Sequence, residues 1–293
     1  MKAIMIGTSG GISLAESNVN RAGPAVLIEV GDDLIIFDVG RSALQNVLKS
    51  GYSPVNIEQI FLTHLHSDHI VGLPDFILSP WITSGHSQWE VYGPEGTRTL
   101  FDRLFGVDGA FEADILARAN SKSSRELIEP RIGKELNRPS FNIIEVSQPG
   151  IIYEGESWEV LASFAPKHIQ PWLISIAFRV NSEDGSVVIT GDTGPHADII
   201  EFAKGCDLLI HDCSIKERTG HYATRLVHTD PISLGKVASE ASAKVVVATH
   251  ISRREDYPEV LSTYRGFVEE NFAGQFVLGE DLQVIDIPAG TIR

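Results

Sequence analysis

Apolar residues in this chain fall mostly into short strand-length runs broken by glycine, proline and aspartate, with a few longer segments at helical spacing. Lys2–Ile6, Ala25–Val30 and Asp33–Asp38 read as strands, the last two joined by a tight turn at Gly31-Asp32. Ser42–Lys49 reads as a helix ended by Gly51, and Glu58–Leu62 as a buried strand. Leu73–Ile82 and Gly96–Phe105 read as helices on either side of the strand Trp89–Tyr92. From Gly106 to Ser140 the pattern weakens. Asp108–Asn120 reads as helical, but Ser121–Ser124 and Arg131–Pro139 are polar and irregular. We expect an insertion at about residues 106–140, either packed over a site, forming an oligomer contact, or running as a surface loop.

Strands return at Asn142–Val146, Trp158–Phe164, Leu173–Val180 and Val187–Thr190. Ala197–Lys204 (helix), Leu208–His211 (strand), Ser233–Ala243 (helix) and Val245–Thr249 (strand) then alternate. A helix at Tyr257–Asn271 and strands at Gln275–Leu278 and Leu282–Ile287 follow. Two strand-rich halves, each followed by helices, predict an α/β (α+β) chain folded as a four-layer αββα sandwich. No linker or low-complexity tract divides the 293 residues, so one domain spanning 1–293 is expected.

With 43% hydrophobic and 22% charged residues, the chain can bury a sizeable core. No apolar run has the length of a membrane span, and the amino terminus reads as a first strand rather than a secretory signal. Cys206 and Cys213 are too few for a disulfide framework and are read as reduced thiols, which fits a cytoplasmic location. The formal net charge of −15 disfavours non-specific attraction to nucleic acid or an anionic membrane, although it leaves room for a local basic pocket.

The chemistry concentrates after the strand Glu58–Leu62, in Thr63-His64-Leu65-His66-Ser67-Asp68-His69. Two histidines two apart on extended backbone can point the same way, and Asp68 and His69 emerge as the chain turns toward a helix. Imidazole nitrogens and a carboxylate suit zinc, and four such neighbours are more easily shared by two metals than crowded onto one. This His-x-His-x-Asp-His pattern resembles the signature of the metallo-β-lactamase superfamily, and the resemblance runs nearly the whole chain. It is carried by Gly7–Gly11, Arg21–Pro24, Leu34–Gly40, Thr63–Pro74, Val91–Pro94, Ala165–His168, Thr190–Thr193 and Thr249–Ser252, in the family's order. Within it, the chain is most similar to the branch holding ribonuclease Z and the arylsulfatase-like and phosphodiesterase-like hydrolases.

The resemblance implies a metallo-β-lactamase sandwich with two zinc ions, manganese or iron being alternatives. His64, His66 and His168 would hold one metal and Asp68, His69 and His250 the other, with Asp192 bridging. Taken alone, His168 would pass for an ordinary histidine and Asp192 for a cap; three separate strand ends delivering His, Asp and His are harder to set aside. A hydroxide between the metals would then attack the substrate, with Asp68 orienting it. His211–Ser214 and His228–Pro231 resemble two short ribonuclease Z loops beside the metals. Asp212 stands where that family usually has Glu, and we expect it to orient His228 as the acid for the leaving group. Ser252 and Arg253 match a substrate-binding pattern, the guanidinium suiting an anionic group. His86, His196, His211 and His221 read as surface or structural residues.

Three functions compete. The favoured expectation is hydrolysis of small phosphodiesters or (aryl)sulfate esters; the others are tRNA 3′-end processing, and lactone or other-bond hydrolysis or non-catalytic metal binding. Many ribonuclease Z proteins carry an extended arm between the third His and the bridging Asp. Here only 24 positions separate His168 from Asp192. Lys122, Arg125, Arg131, Lys134 and Arg138 are offset by Glu126, Glu129 and Glu135 and make a weak substitute for such an arm. The resemblance also implies a homodimer.

Overall fold

The computed structural model describes residues 1–11, 21–165, 172–214, 227–252, 258–287 and 290–292. Its frame is two sheets. One has the strand order Thr291–Ile292 (β17), Val284–Asp286 (β16), Lys2–Gly7 (β1), Ala25–Val30 (β3), Asp33–Phe37 (β4), Ile57–Phe61 (β5), Gln88–Gly93 (β6) and Ser140–Glu145 (β7). The other runs Gln275–Leu278 (β15), Val245–Thr249 (β13), Leu208–Asp212 (β12), Gly185–Ile189 (β11), Ser175–Ser182 (β10), Trp158–Ala165 (β9) and Gly150–Glu154 (β8). A two-residue ladder of Ser9–Gly10 (β2) with Ile251–Ser252 (β14) lies apart from both.

Strand alternation feeds two cores at once. In β13, Val245 and Val247 face the space between the sheets, whereas Val246 and Ala248 face the helices. Phe37, Phe61, Phe178, Val160 and Ile210 fill the same inter-sheet layer, with Phe61 stacked on Phe37 at 4.9 Å and on Tyr92 at 4.7 Å. Helices Ala43–Lys49 (α1), Leu73–Ser84 (α3) and Thr97–Phe105 (α4) cover the outer face of the first sheet through Val47, Phe76, Trp81 and Phe101. Helices Pro231–Glu240 (α8) and Pro258–Glu269 (α9) cover the second through Leu234, Val237, Tyr264 and Val268. The order helix, sheet, sheet, helix is the four-layer sandwich expected from the sequence.

The expected insertion is two helices, Glu112–Asn120 (α5) and Lys122–Ile132 (α6). The serine run beginning at 121 is a cap and not a loop: Ser121 accepts from the Ser124 N–H at 3.2 Å and starts α6. Ile115, Ile128 and Leu136 join the outer core, and Trp81 Nε1 donates to the Asn137 carbonyl at 2.6 Å. α3 starts beside the metal-motif loop, so a contact at Trp81 sets this segment against the helix's far end. Among the described residues no helix is long and apolar enough to cross a membrane.

Candidate metal centre

The candidate ligands stand at the carboxyl ends of parallel strands in both sheets, where an open α/β edge leaves a crevice. β5 ends at Phe61, and the chain passes through Thr63–His66 into the short helix Ser67–Ile70 (α2). His66 keeps an extended backbone, which lets it meet His64: Nε2 of His64 lies 3.0 Å from Nδ1 of His66. The turn into α2 sends Asp68 and His69 toward His250, which follows β13. Asp192, after β11, faces both groups. The approach of β11 to the motif loop requires glycine: at Gly191, with φ +60°, a Cβ would lie 2.7 Å from Thr63 Cβ.

Asp192 Oδ2 lies 3.7 Å from His64 Nε2, while its Oδ1 lies 3.4 Å from His69 Nε2 and 3.2 Å from His250 Nε2. Asp68 Oδ2 is 3.8 Å from His69 Nε2 and 3.3 Å from His250 Nε2. Donors bound at about 2.1 Å to one tetrahedral ion sit roughly 3.4 Å apart, so these spacings suit zinc-sized cations. His69 Nε2 and Asp192 Oδ1 are buried and make no hydrogen bond among the described residues, a costly state for polar atoms that no cation engages. Among the described residues three groups have donors close enough to hold a metal ion: His64–His66–Asp192, Asp68–His69–His250, and Asp192–Asp212–His228–His250, which shares Asp192 and His250 with the other two.

The far nitrogen of each buried imidazole has its own partner, which fixes ring orientation. His69 Nδ1 faces Asp38 Oδ2 at 2.7 Å, His64 Nδ1 faces Thr63 Oγ1 at 3.0 Å, and His250 Nδ1 faces Ser214 Oγ at 2.6 Å. Asp38 also accepts from the Thr63 N–H at 2.8 Å and hydroxyl at 2.7 Å. Asp38 and His250 both hold φ 58°, a region costly for residues other than glycine and concentrated at functional sites.

Opposed charges spread the titrations. Burial alone would lower the His69 pKa, but Asp192 and Asp38 outweigh it and lift it to about 10. His250 moves well above the usual imidazole range against the same burial, drawn by Asp192, Asp212 and Asp68. Burial would raise Asp192 and Asp68, yet the neighbouring imidazoles hold both carboxyls far below their usual range. A cluster that attracts protons so strongly offers the same donors to a metal, and the two compete.

The sequence model of the metallo-beta-lactamase superfamily matches residues 19–263. The chain belongs to this superfamily. A ribonuclease Z from Methanosarcina mazei is 26% identical to it, over 98% of this chain and 98% of its own length. Human tRNase Z, short form, shares the fold with a TM-score of 0.71 at 23% identity, covering 98% of this chain and 100% of its own. The metallo-beta-lactamase fold protein YhfI from Bacillus subtilis also shares it, with a TM-score of 0.71 at 21% identity and 97% of both chains covered.

Within this superfamily fold, six of the seven expected ligands converge, and the seventh, His168, lies outside the described residues. Arg253 and His221 do too. Ser252 is half-buried in β14, paired with Gly10 of β2. The expected acid pair is close: His228 Nδ1 is 2.9 Å from Asp212 Oδ2, and the His228 ring stacks on His250 at 5.5 Å. Burial would lower the His228 pKa, but Asp212 raises it; burial would raise Asp212, but His228 and His250 bring it down to about 2. Asp212 Oδ1 also lies 3.4 Å from His250 Nδ1, so it touches the acid and a candidate ligand together. His211 points to the helix side and donates from Nδ1 to the Asp212 carbonyl at 2.8 Å, while His196 caps the helix Ala197–Phe202 (α7). The sequence alone assigns no role to Asp38, Thr63 or Ser214. All three sit inside segments that resemble the family, Leu34–Gly40, Thr63–Pro74 and His211–Ser214.

Proposed function

We propose that this chain is a dinuclear metal-dependent phosphodiesterase in which His228 is the leaving-group acid. The observation that carries this reading is the pair of donor groups meeting at Asp192, with Asp212–His228 beside them. Two divalent cations, zinc foremost with manganese or iron as alternatives, would supply acidified water at neutral pH and neutralise charge on the substrate oxygens. His64 and His66, joined by His168, would hold one cation; Asp68, His69 and His250 would hold the other, and Asp192 would reach both. Asp68 would also orient the attacking water. Asp212 would orient the His228 ring through Nδ1, and protonated His228 would donate to the departing oxygen. Arg253 and Ser252 are assigned to the anionic group of the substrate.

The ribonuclease Z relatives favour a phosphate over a sulfate ester, and they support the tRNA reading more than the sequence pattern did. Against that reading stands the short connection between β10 and β11, which pair directly from Ser182 with Gly185 and leave no room for an arm. We therefore take a short phosphodiester as the first substrate class and tRNA 3′-end processing as the second. The test is a panel of aryl phosphodiester, aryl sulfate, lactone and a tRNA precursor on metal-loaded protein. Turnover of the diester with little sulfate or lactone cleavage is expected. Efficient removal of a tRNA 3′ trailer at one site would establish the second reading, and lactone as the preferred substrate would overturn both.

A further inference from the structure

One carboxylate outside the donor set, Asp281, ties together the backbone that touches both Asp68 and His250. Its Oδ1 accepts from the Thr8 N–H at 3.0 Å and the Thr8 hydroxyl at 2.7 Å. Its Oδ2 accepts from the Ala22 N–H at 2.6 Å and from Asn46 Nδ2 at 3.2 Å. Arg21 donates to Thr8 Oγ1 at 2.7 Å and to the Gly279 carbonyl at 2.8 Å, closing the knot. Four donors on a single side chain join three separate segments: the loop after β1, the entry to β3 and helix α1.

The loop held this way reaches the candidate metal centre within three residues. The Thr8 carbonyl accepts from the Ile251 N–H at 2.8 Å, one residue past His250. Ser9 and Gly10 then pair with Ile251 and Ser252. Gly10 lies so close to His250 that a Cβ there would stand 2.5 Å from its Nδ1 and 2.4 Å from its carbonyl oxygen. The next amide, that of Gly11, donates to Asp68 Oδ2 at 2.8 Å, the same oxygen that faces His250 Nε2. The loop thus fixes one carboxylate oxygen and one imidazole of the same donor group, and touches neither His64 nor His66 by any of these contacts.

We propose that Asp281 is a positioning residue for the Asp68–His69–His250 metal site, acting through the Thr8–Gly11 loop, and that it leaves the His64–His66 site untouched. The inference rests on the two-metal reading above. Asp281→Asn removes the charge and turns an amide donor toward donors, so the loop loses its anchor. Outer partners of metal ligands are worth about 10–100-fold in metal affinity, and one further step away the low end, about tenfold, is expected.

The experiment is a two-step zinc titration against a chromophoric chelator on the full chain, comparing wild type, Asp281→Asn, Thr8→Val, Asp68→Asn and Val187→Ala. Val187 is a buried inter-sheet residue of β11 and serves as a control for general loss of stability. One step should weaken about tenfold in Asp281→Asn, the same step that weakens in Asp68→Asn, and the other should stay within about twofold. Thr8→Val keeps its backbone N–H and should weaken that step less; it stands in if Asp281→Asn does not fold. Equal weakening of both steps, as general destabilisation in Val187→Ala would produce, overturns the proposal, and so does a folded Asp281→Asn with both steps unchanged. Wild type that binds no metal would overturn the two-metal reading and this inference with it, which separates the two failures.

Discussion

At the residue scale, the centre is defined as much by what holds the ligands as by the ligands. The metal motif was legible because three histidines and an aspartate in one short span are hard to explain as a solvated turn. Asp38 was not, because a single aspartate after a strand has many ordinary uses, and only tertiary packing brings it to His69. Asp38→Ala should lower zinc affinity about 10–100-fold, since it leaves the His69 ring unheld; a titration showing wild-type affinity would remove Asp38 from the centre. His228 offers a sharper test. An acid matters most when the leaving oxygen is poor, and such help is typically ~10²–10⁴-fold. His228→Ala should slow an alkyl-type diester far more than a nitrophenyl-type diester, and Asp212→Asn should show the same bias more weakly. Asp212 raises the His228 pKa against the effect of burial, and the rate on the poor substrate should fall as pH rises through the His228 titration. The mutant should lose this basic limb. Equal losses on both diesters, with metal content and fold intact, would make His228 a binding or structural residue.

At the element scale, most strands were legible because buried runs such as Val245–Thr249 leave little ambiguity, and the parity of β12 follows from its packing: Leu208 and Ile210 face the other sheet, so Asp212 faces the site. Less visible were β8, whose residues are largely exposed, and the β2–β14 ladder, too short to carry a pattern. The helix α6 was obscured by its serine cap and by Pro130 near its end. The short β10–β11 turn bears on substrate length. A chain of net charge −15 with no arm there should bind a long polyanion weakly and with steep salt dependence, whereas a small diester engages few charges. Turnover of a small aryl diester should therefore change little over moderate salt. A steep fall with salt, together with site-specific trailer cleavage, would show that extended nucleic-acid contacts exist elsewhere on the surface.

At the scale of the whole molecule, the donors come from both sheets, Asp68 and His69 after β5 and Asp192 and His250 after β11 and β13, so a bound cation would couple the two halves. That coupling has a definite pH signature. The His69 pKa is lifted to about 10 by Asp192 and Asp38 against the effect of burial, whereas an unfolded histidine titrates near ~6.5. In metal-free protein, the stability contributed by this proton is fully present below ~6.5 and is lost as pH rises toward about 10. The metal needs the same nitrogen deprotonated, so its contribution grows across the same window. Chelation should therefore lower the melting temperature at every pH in this range, and by more at pH ~9 than at pH ~6.5. Thermal melts of metal-loaded and chelator-treated protein across those pH values check this. A gap that stays constant would show that metal and proton do not share His69, and a gap that narrows would reverse the assigned sign; either would remove His69 from the ligand set while leaving the fold argument intact.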